Sequence, residues 1–112
     1  MNATRHKILV SIVAVLGALT IRSAFAETWI YVPDMSQLKF QLFPGGLIYI
    51  RNLSDFSAAA LGCCYNYWID TTTQDGRNTW ATMLSASAQH TPLYVGIPDG
   101  QAQGVVSYVG IW

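Results

Sequence analysis

Hydrophobic residues follow two different patterns on either side of residue 26. Before it, an apolar run extends from Ile8 to Leu19 and is interrupted only by Ser11 and Gly17. After it, apolar residues occur in short runs that alternate with polar residues or recur at helical spacing. The first pattern is typical of a targeting segment and the second of a small folded domain.

The apolar run has the flanks of a secretory signal peptide. Arg5 and Lys7 precede it, and Ala24-Phe25-Ala26 follows it with the small-x-small pattern that signal peptidase accepts. The run is shorter than the roughly 20 apolar residues that span a bilayer. We therefore predict that residues 1–26 are a signal peptide cleaved after Ala26. Residues 27–112 are then a secreted or periplasmic domain with no stable membrane insertion.

Most of the mature domain shows the spacing of β-strands. Alternating or β-branched and aromatic runs, separated by Gly, Pro and Asn, predict six strands. These are Thr28–Val32, Leu38–Phe43, Leu47–Arg51, Tyr65–Ile69, Leu93–Ile97 and Val105–Trp112. Pro44-Gly45-Gly46 favours a hairpin turn between the second and third strands. Asn52–Gly62 is small and polar and predicts a loop.

One segment has the period of an amphipathic helix. Residues at spacings of three and four positions predict a helix over Asp75–Gln89, with its apolar face formed by Trp80, Met83, Leu84, Ser87 and Ala88. Thr71–Asp75 offers several N-cap candidates, and Thr91-Pro92 ends the helix. We expect Trp80 and Leu84 to seal this helix against the sheet.

The predicted order is three or four strands, one helix and two strands, a mainly β, α+β arrangement. A small OB-like barrel has this order, with a single helix that plugs one end of a closed sheet. A split sheet with a helix on one face has the same elements. The lone helix and the short mature length favour the barrel.

The charge of the mature chain disfavours two classes of partner. After removal of the signal peptide the chain has three basic residues, Lys39, Arg51 and Arg77, and six acidic ones, a formal charge of −3. Phosphate binding needs clustered Lys and Arg, so nucleic acid is not an expected partner. An anionic membrane surface is disfavoured for the same reason.

The only two cysteines of the chain are neighbours, Cys63 and Cys64. Export places them where disulfides persist. Adjacent Cα atoms lie about 3.8 Å apart, whereas ordinary disulfides prefer about 4.4 to 6.8 Å. A vicinal disulfide, an intermolecular disulfide and free thiols all remain open.

The segment from Tyr67 to Ala86 resembles a set of small exported bacterial proteins. Their pattern is a strand ending in an acidic residue, a Thr or Ser, a Gly with a basic residue, an aromatic residue and a Leu-rich helix, matched here by Asp70, Gly76 and Trp80. Their architecture is similar to that of the B subunits of pertussis-like and subtilase-type A-B toxins, OB barrels that assemble as rings and bind glycans. The resemblance covers Gly46 to Trp112. It implies an OB-like fold, a homo-oligomer and a glycan ligand.

The chain departs from these proteins in its cysteines. Similar sequences commonly carry one Cys before the aromatic strand and a second in the loop between the last two strands, but Pro98–Gly104 contains none. The usual intrachain bridge is therefore in doubt, and Cys63 or Cys64 lacks its expected partner.

Residues with catalytic chemistry form no recognisable motif. The sequence has no phosphate-binding Gly pattern, no Gly-x-Ser-x-Gly elbow and no zinc-ligand spacing, with His90 the only mature histidine. Asp70 and Asp75 are better explained as helix caps, and His90 as a cation at the helix C-terminus. We expect no enzyme activity, metal or cofactor. A small hydrolase, with Asp70 and His90 in one cleft, is the weakest alternative.

Aromatic residues are the best functional indication. The mature chain has four tryptophans and six tyrosines, and exposed rings stack on sugars and other apolar ligand surfaces. Tyr65 and Tyr67 are expected on one face of their strand and Trp68 on the other. These three are the candidate ligand-binding residues of an exported, non-catalytic glycan-binding protein. The main alternative is a structural or inhibitory protein that binds another exported protein through a strand edge.

Cleavage after Ala26 can be tested directly. Mass spectrometry of the secreted or periplasmic protein should give Glu27 as the first residue, because the charged start, the apolar run and the small-residue site all precede it. Recovery of the chain with Met1 intact in the membrane fraction would contradict the prediction.

Overall fold

Residues 27–111, the part of the chain that this computed structural model describes, contain seven β-strands, one α-helix and two short 3-10 helices, Met35–Gln37 and Leu53–Asp55. The helix α1 spans Gln74–Gln89. The strands are β1 (Glu27–Val32), β2 (Phe40–Leu42), β3 (Leu47–Ile50), β4 (Tyr67–Asp70), β5 (Leu93–Pro98), β6 (Gly104–Val105) and β7 (Val109–Gly110). The predicted signal peptide, residues 1–26, and Trp112 lie outside the described residues.

The strands form two sheets. One has the order β1-β5-β7 and the other the order β2-β3-β4-β6. Every neighbouring pair is antiparallel except β4 and β6, which are parallel. The predicted mainly β, α+β class with one helix is confirmed. The sheets do not close into a barrel within residues 27–111, because β1 and β2 are edge strands that do not pair with each other.

The C-terminal segment runs from one sheet to the other. The prediction of a single strand over Val105–Trp112 is wrong, since β6 pairs with β4 and β7 pairs with β5. The N–H of Val106 donates to the carbonyl of Trp68 over 2.8 Å, and the next N–H, of Ser107, donates to the carbonyl of Gly96 over 2.9 Å. Successive residues thus bond to different sheets and join the two along one side.

A glycine turn aligns β2 with β3. Gly45 and Gly46 have φ values of 91° and 86°, which favour glycine. The turn predicted at Pro44-Gly45-Gly46 is confirmed, and the N–H of Phe43 donates to the carbonyl of Leu47 over 2.9 Å. Phe43 is thereby fixed at the end of the hairpin, beside the outer face of β3.

One hydrophobic core lies between the two sheets and the helix. Alternate residues of each long strand point into it, as the two-residue period of a strand requires. The buried members are Ile30, Val32, Met35, Leu38, Ile48, Ile50, Leu53, Ala60, Tyr67, Ile69, Met83, Ala86, Leu93, Val95, Ile97 and Val106. Because both sheets and α1 contribute to the same cluster, they form one domain.

Helix α1 begins and ends with defined caps. The hydroxyl of Thr73 accepts a hydrogen bond from the N–H of Gly76 over 3.0 Å, so Thr73 is the N-cap. His90 is the C-cap in the left-handed conformation, with φ 56°. The predicted helix over Asp75–Gln89 is confirmed to within one residue.

The buried face of α1 differs from the predicted one. Met83 and Ala86 are buried, and Trp80 is half-buried against the core, but Leu84 is 43% exposed. The expectation that Leu84 seals the helix is therefore wrong. The predicted apolar face of α1 is wider than the part of the helix that contacts the core. The helix is rotated so that the small Ala86 faces the core and Leu84 faces solvent.

The first turn of α1 lies against the end of β4. A Cβ atom at Gly76 would overlap the carbonyl oxygen of Asp70. Glycine is therefore needed for this close approach, which fixes where the helix starts relative to the sheet.

Truncation of Met83 and of its neighbour Leu84 should distinguish a buried position of α1 from an exposed one. We expect Met83→Ala to lower the free energy of unfolding by about 2 to 5 kcal/mol, because Met83 is 2% exposed and leaves a cavity. Leu84→Ala should cost less than about 1 kcal/mol. Denaturant unfolding of both variants measures this, and equal losses would show that the helix is rotated differently.

Candidate functional site

The outer face of the four-stranded sheet carries a row of polar and aromatic side chains. Gln41 pairs with Tyr49 across β2 and β3, and Tyr49 pairs with Trp68 across β3 and β4. Directly paired residues project from the same face of a sheet. Their strand neighbours Ile48 and Ile69 point the other way and are buried. The row therefore faces away from the core.

Four rings on this face contact one another. We call them the aromatic platform: Phe43, Tyr49, Tyr65 and Trp68. Tyr49 lies at their centre, with ring centroids 5.0 Å from Phe43, 5.5 Å from Tyr65 and 5.9 Å from Trp68. Phe43 and Tyr65 also meet edge to face at 5.7 Å. Aromatic contacts of this kind stabilise by about 0.5 to 1.5 kcal/mol beyond area burial, so the rings hold one another in place.

Tyr65 is the most exposed ring of the platform, at 49%. Its hydroxyl donates to Oε1 of Gln41 over 3.1 Å. The guanidinium carbon of Arg51 lies 5.6 Å from its ring centroid, within cation–π range. These contacts orient the ring and leave half of its surface open to a ligand.

Tyr67, one of the three predicted ligand-binding residues, is not at the platform. It is 1% exposed, and its hydroxyl accepts a hydrogen bond from the N–H of Leu61 over 2.8 Å. The prediction that Tyr65 and Tyr67 share a face is wrong because β4 begins only at Tyr67, so Tyr65 lies outside its alternation. Tyr65 and Trp68 share the surface, and Tyr67 is a core residue.

The three-stranded sheet carries a second aromatic surface. Trp29 and Tyr108 stack with ring centroids 5.9 Å apart, and Tyr31 and Tyr94 meet at 5.0 Å. Gly96 pairs with Trp29, and a Cβ atom there would lie 3.2 Å from the indole ring. We call these four rings the second aromatic surface. Three of them, Trp29, Tyr31 and Tyr108, are exposed.

The loop before β4 contains the cysteine pair. Cys63 and Cys64 are joined to each other as a vicinal disulfide. Cys63 also lines a cavity together with Lys39 and Arg51. The cysteine pair therefore lies next to the platform, immediately before Tyr65 in the sequence.

Asp34, Ser36 and His90 meet beside the C-terminal end of α1. The hydroxyl of Ser36 donates to Oδ1 of Asp34 over 2.7 Å, and it lies 2.9 Å from Nδ1 of His90. That same nitrogen is 3.4 Å from Oδ2 of Asp34. In a Ser-His-Asp triad the hydroxyl and the carboxylate contact different imidazole nitrogens. Here both contact Nδ1, so the cluster lacks the geometry of that relay.

Asp70 and His90 do not form the pair that the hydrolase alternative requires. Asp70 ends β4 just before the N-cap of α1, and His90 is the C-cap. The 16 residues of α1 span about 24 Å at 1.5 Å per residue. The two side chains therefore belong to opposite ends of the helix.

Asp70 forms a turn that leads into α1. Its Oδ1 accepts hydrogen bonds from the hydroxyl of Thr72 over 2.6 Å and from the N–H of Thr72 over 2.9 Å. These bonds favour the ionised form and lower the pKa of Asp70, the hydroxyl contributing more than the N–H. The predicted capping roles are corrected in part: Thr73 caps the helix, Asp70 forms the preceding turn, and Asp75 lies in the first helical turn.

Neither a metal-binding cluster nor a membrane-spanning helix is found among the described residues. Residues 27–111 contain no group of three or more His, Cys, Asp or Glu side chains arranged to hold a metal ion. Within the same residues, no helix combines the length and the apolar character needed to cross a bilayer.

The sequence did not single out Phe43, Tyr49 or Gln41 as site residues. A signal for them was present, because Tyr49 alternates with Ile48 and Ile50 along a predicted strand. The hairpin turn also fixes Phe43 near that strand. Their position on the same surface as Trp68 depends on the register of β3 and β4, which the sequence pattern alone does not define.

Comparisons of the chain with protein-family models, curated proteins and solved structures found no match. Function must therefore be inferred from the arrangement of the side chains themselves.

Stability should fall in acid partly through Asp70. Because its folded pKa lies below the ordinary value of 3.8, its stabilising effect is present above that pH and is lost as the pH falls through the folded pKa. We expect wild type to lose stability below about pH 4 and Asp70→Asn to lose less. Denaturant unfolding from pH 6 to pH 2 tests this. Thr72→Val, which removes only the hydroxyl donor, should give an intermediate slope, and identical slopes for all three proteins would refute the assignment.

Proposed function

We propose that this protein is an exported, non-catalytic glycan-binding protein whose ligand stacks on the aromatic platform. The observation that carries the proposal is a group of four touching rings on one outward sheet face, with Tyr65 half exposed. Sugar rings present apolar C–H faces to aromatic rings and hydroxyls to nearby polar groups. Gln41 and Arg51 supply polar groups at the edge of the platform.

The positions of the titratable groups support binding over catalysis. Ser36 and Asp34 both contact Nδ1 of His90, away from the platform. Asp70 is engaged in the turn before α1. The rings themselves carry no acid–base pair, and binding by stacking requires none.

Assembly into a homo-oligomer is part of the proposal. One stacked ring contributes on the order of 1 kcal/mol beyond buried area, so a single site binds weakly. Several copies on one particle raise the effective concentration and the avidity. The resemblance to ring-forming toxin B subunits points to the same organisation.

The crossing of residues 104–110 between the sheets supports an OB-like barrel as the finer description of the fold.

Export is part of the proposal. The first 26 residues have the pattern of a signal peptide. Secretion would give the platform access to extracellular glycans, and a periplasmic location would give it access to periplasmic ones.

A second candidate function is binding to another exported protein. The second aromatic surface favours it, because three exposed rings there adjoin the edge strand β1. An edge strand can add a strand from a partner, and exposed aromatic residues are enriched at interfaces. In this case the protein would be a structural or inhibitory partner.

Platform variants on a glycan array distinguish the two functions. We expect Tyr65→Ala and Trp68→Ala to weaken glycan binding about five-fold or more, the loss that corresponds to one stacked ring. Tyr31→Ala removes an exposed ring from the other sheet and is the matched control, with binding unchanged. Circular dichroism confirms that each variant is folded.

Light scattering on the same wild-type sample gives the second readout. An oligomer that binds glycans supports the proposal. A monomer at high concentration with no signal on a broad array would replace it with the protein-binding alternative. Loss of binding in Tyr31→Ala alone would move the site to the second aromatic surface.

A further inference from the structure

A cavity of about 280 Å³ adjoins the aromatic platform. Its lining consists of Lys39, Arg51, Asn52, Ser54, Asp55 and Cys63. Arg51 belongs to both features, because its guanidinium also lies over the Tyr65 ring. A ligand stacked on Tyr65 can therefore reach the cavity without a gap between the two surfaces.

Positive charge is concentrated at this cavity. The chain after residue 26 has three basic residues and six acidic ones, and two of the three basic ones, Lys39 and Arg51, line the cavity. Asp55 is the one carboxylate in the lining, and its Oδ2 accepts a hydrogen bond from Asn52 over 3.2 Å. The lining is thus net positive in a chain that is net negative.

The guanidinium of Arg51 lacks acceptors. Among residues 27–111 its Nε is the only buried side-chain nitrogen or oxygen without a hydrogen-bond partner. Within that part of the chain the rest of the group contacts the Tyr65 ring and has no ion pair. Arginine presents five N–H donors in a planar fork, and buried donors without partners are costly. An anionic ligand in the cavity would supply acceptors for the N–H groups of the fork that face it.

The walls of the cavity are held by backbone and amide hydrogen bonds. Oδ1 of Asn52 accepts from the N–H of Lys39 over 2.7 Å, and Nδ2 of Asn52 donates to the carbonyl of Gln37 over 3.1 Å. The N–H of Arg51 donates to the carbonyl of Lys39 over 2.8 Å. The two cationic residues are therefore tied to each other through the backbone, which keeps both beside the cavity.

We propose that the cavity binds the carboxylate of an acidic saccharide whose ring stacks on Tyr65. The inference rests on the proposed glycan-binding function and names the ligand class. The planar fork of Arg51 matches a carboxylate through two parallel N–H···O bonds, and Lys39 adds a point charge. The volume of about 280 Å³ is just below the range of about 300 to 1,000 Å³ that is typical of small-molecule pockets, and it accommodates a carboxylate group.

Esterification of the ligand isolates the carboxylate. Galacturonate, glucuronate and mannuronate oligosaccharides are measured as free acids and as methyl esters, which keep the ring and lose the charge. Wild type should bind the free acids about ten-fold or more tightly than the esters, as a charge-assisted bidentate contact predicts. The preference should decrease as salt is added.

Arg51→Gln should abolish the preference for the free acid, and Lys39→Gln should reduce it. Arg77→Gln is the matched control, since it removes the same charge from a side chain that donates to the carbonyl of Thr71 and to Gln74 at the start of α1. It should leave the preference intact. Arg51→Lys keeps the charge without the fork and should give an intermediate preference, which serves if Arg51→Gln does not fold.

The outcomes separate this inference from the function on which it rests. Equal binding of acids and esters, with binding still dependent on Tyr65, overturns the carboxylate site and leaves glycan binding in place. Equal effects of Arg51→Gln and Arg77→Gln would assign the preference to net charge and also overturn the site. Absence of binding to every saccharide, neutral or acidic, overturns both proposals.

Discussion

The pairing of β3 with β4 is the interaction on which the rest of the structure depends. It places Ile48 opposite Ile69 and Tyr49 opposite Trp68. Because successive side chains of a strand alternate between faces, this register sends one pair into the core and the other outward. A slip of one residue would exchange the two faces, bury the platform rings and expose the isoleucines. The same hydrogen bonds therefore define both the core and the candidate site.

Tyr67 shows how closely core and site are connected. Its ring is buried, and its hydroxyl bonds to the N–H of Leu61 at the start of the loop that carries Tyr65. Residues 61–66 are thus attached to the sheet from inside by Tyr67 and from outside by the contact of Tyr65 with Gln41. The loop forms no strand of its own, and Asn66 attaches it further by accepting from the N–H of Gly104 over 3.0 Å. A residue predicted to bind ligand instead positions one that does face solvent.

Local pattern was sufficient for most elements of the fold. The 3.6-residue period, the threonine caps and Thr91-Pro92 defined α1, and the glycine turn defined the hairpin of β2 and β3. Features that depend on contacts distant in sequence were not predictable. The division of the last strand follows from its two different partners, β4 and β5. Which of Leu84 and Ala86 is buried could be decided only after the direction of the core was known. The candidate site was found in part, through Tyr65 and Trp68, because Phe43 and Tyr49 reach it only through strand register.

The composition of the candidate site reconciles the acidic character of the domain with the acidic saccharide proposed above. Long-range attraction between surface charges is largely screened beyond about 8 to 10 Å at physiological salt. The net charge of the domain therefore matters less to a bound ligand than the few groups within contact distance. Arg51 and Lys39 both line the cavity, and the guanidinium carbon of Arg51 lies 5.6 Å from the centroid of the Tyr65 ring. In the proposed complex, aromatic contact would supply area without preference for charge, and the arginine fork would supply the preference. The two parts meet at Tyr65, a ring of the platform that also contacts the guanidinium of Arg51.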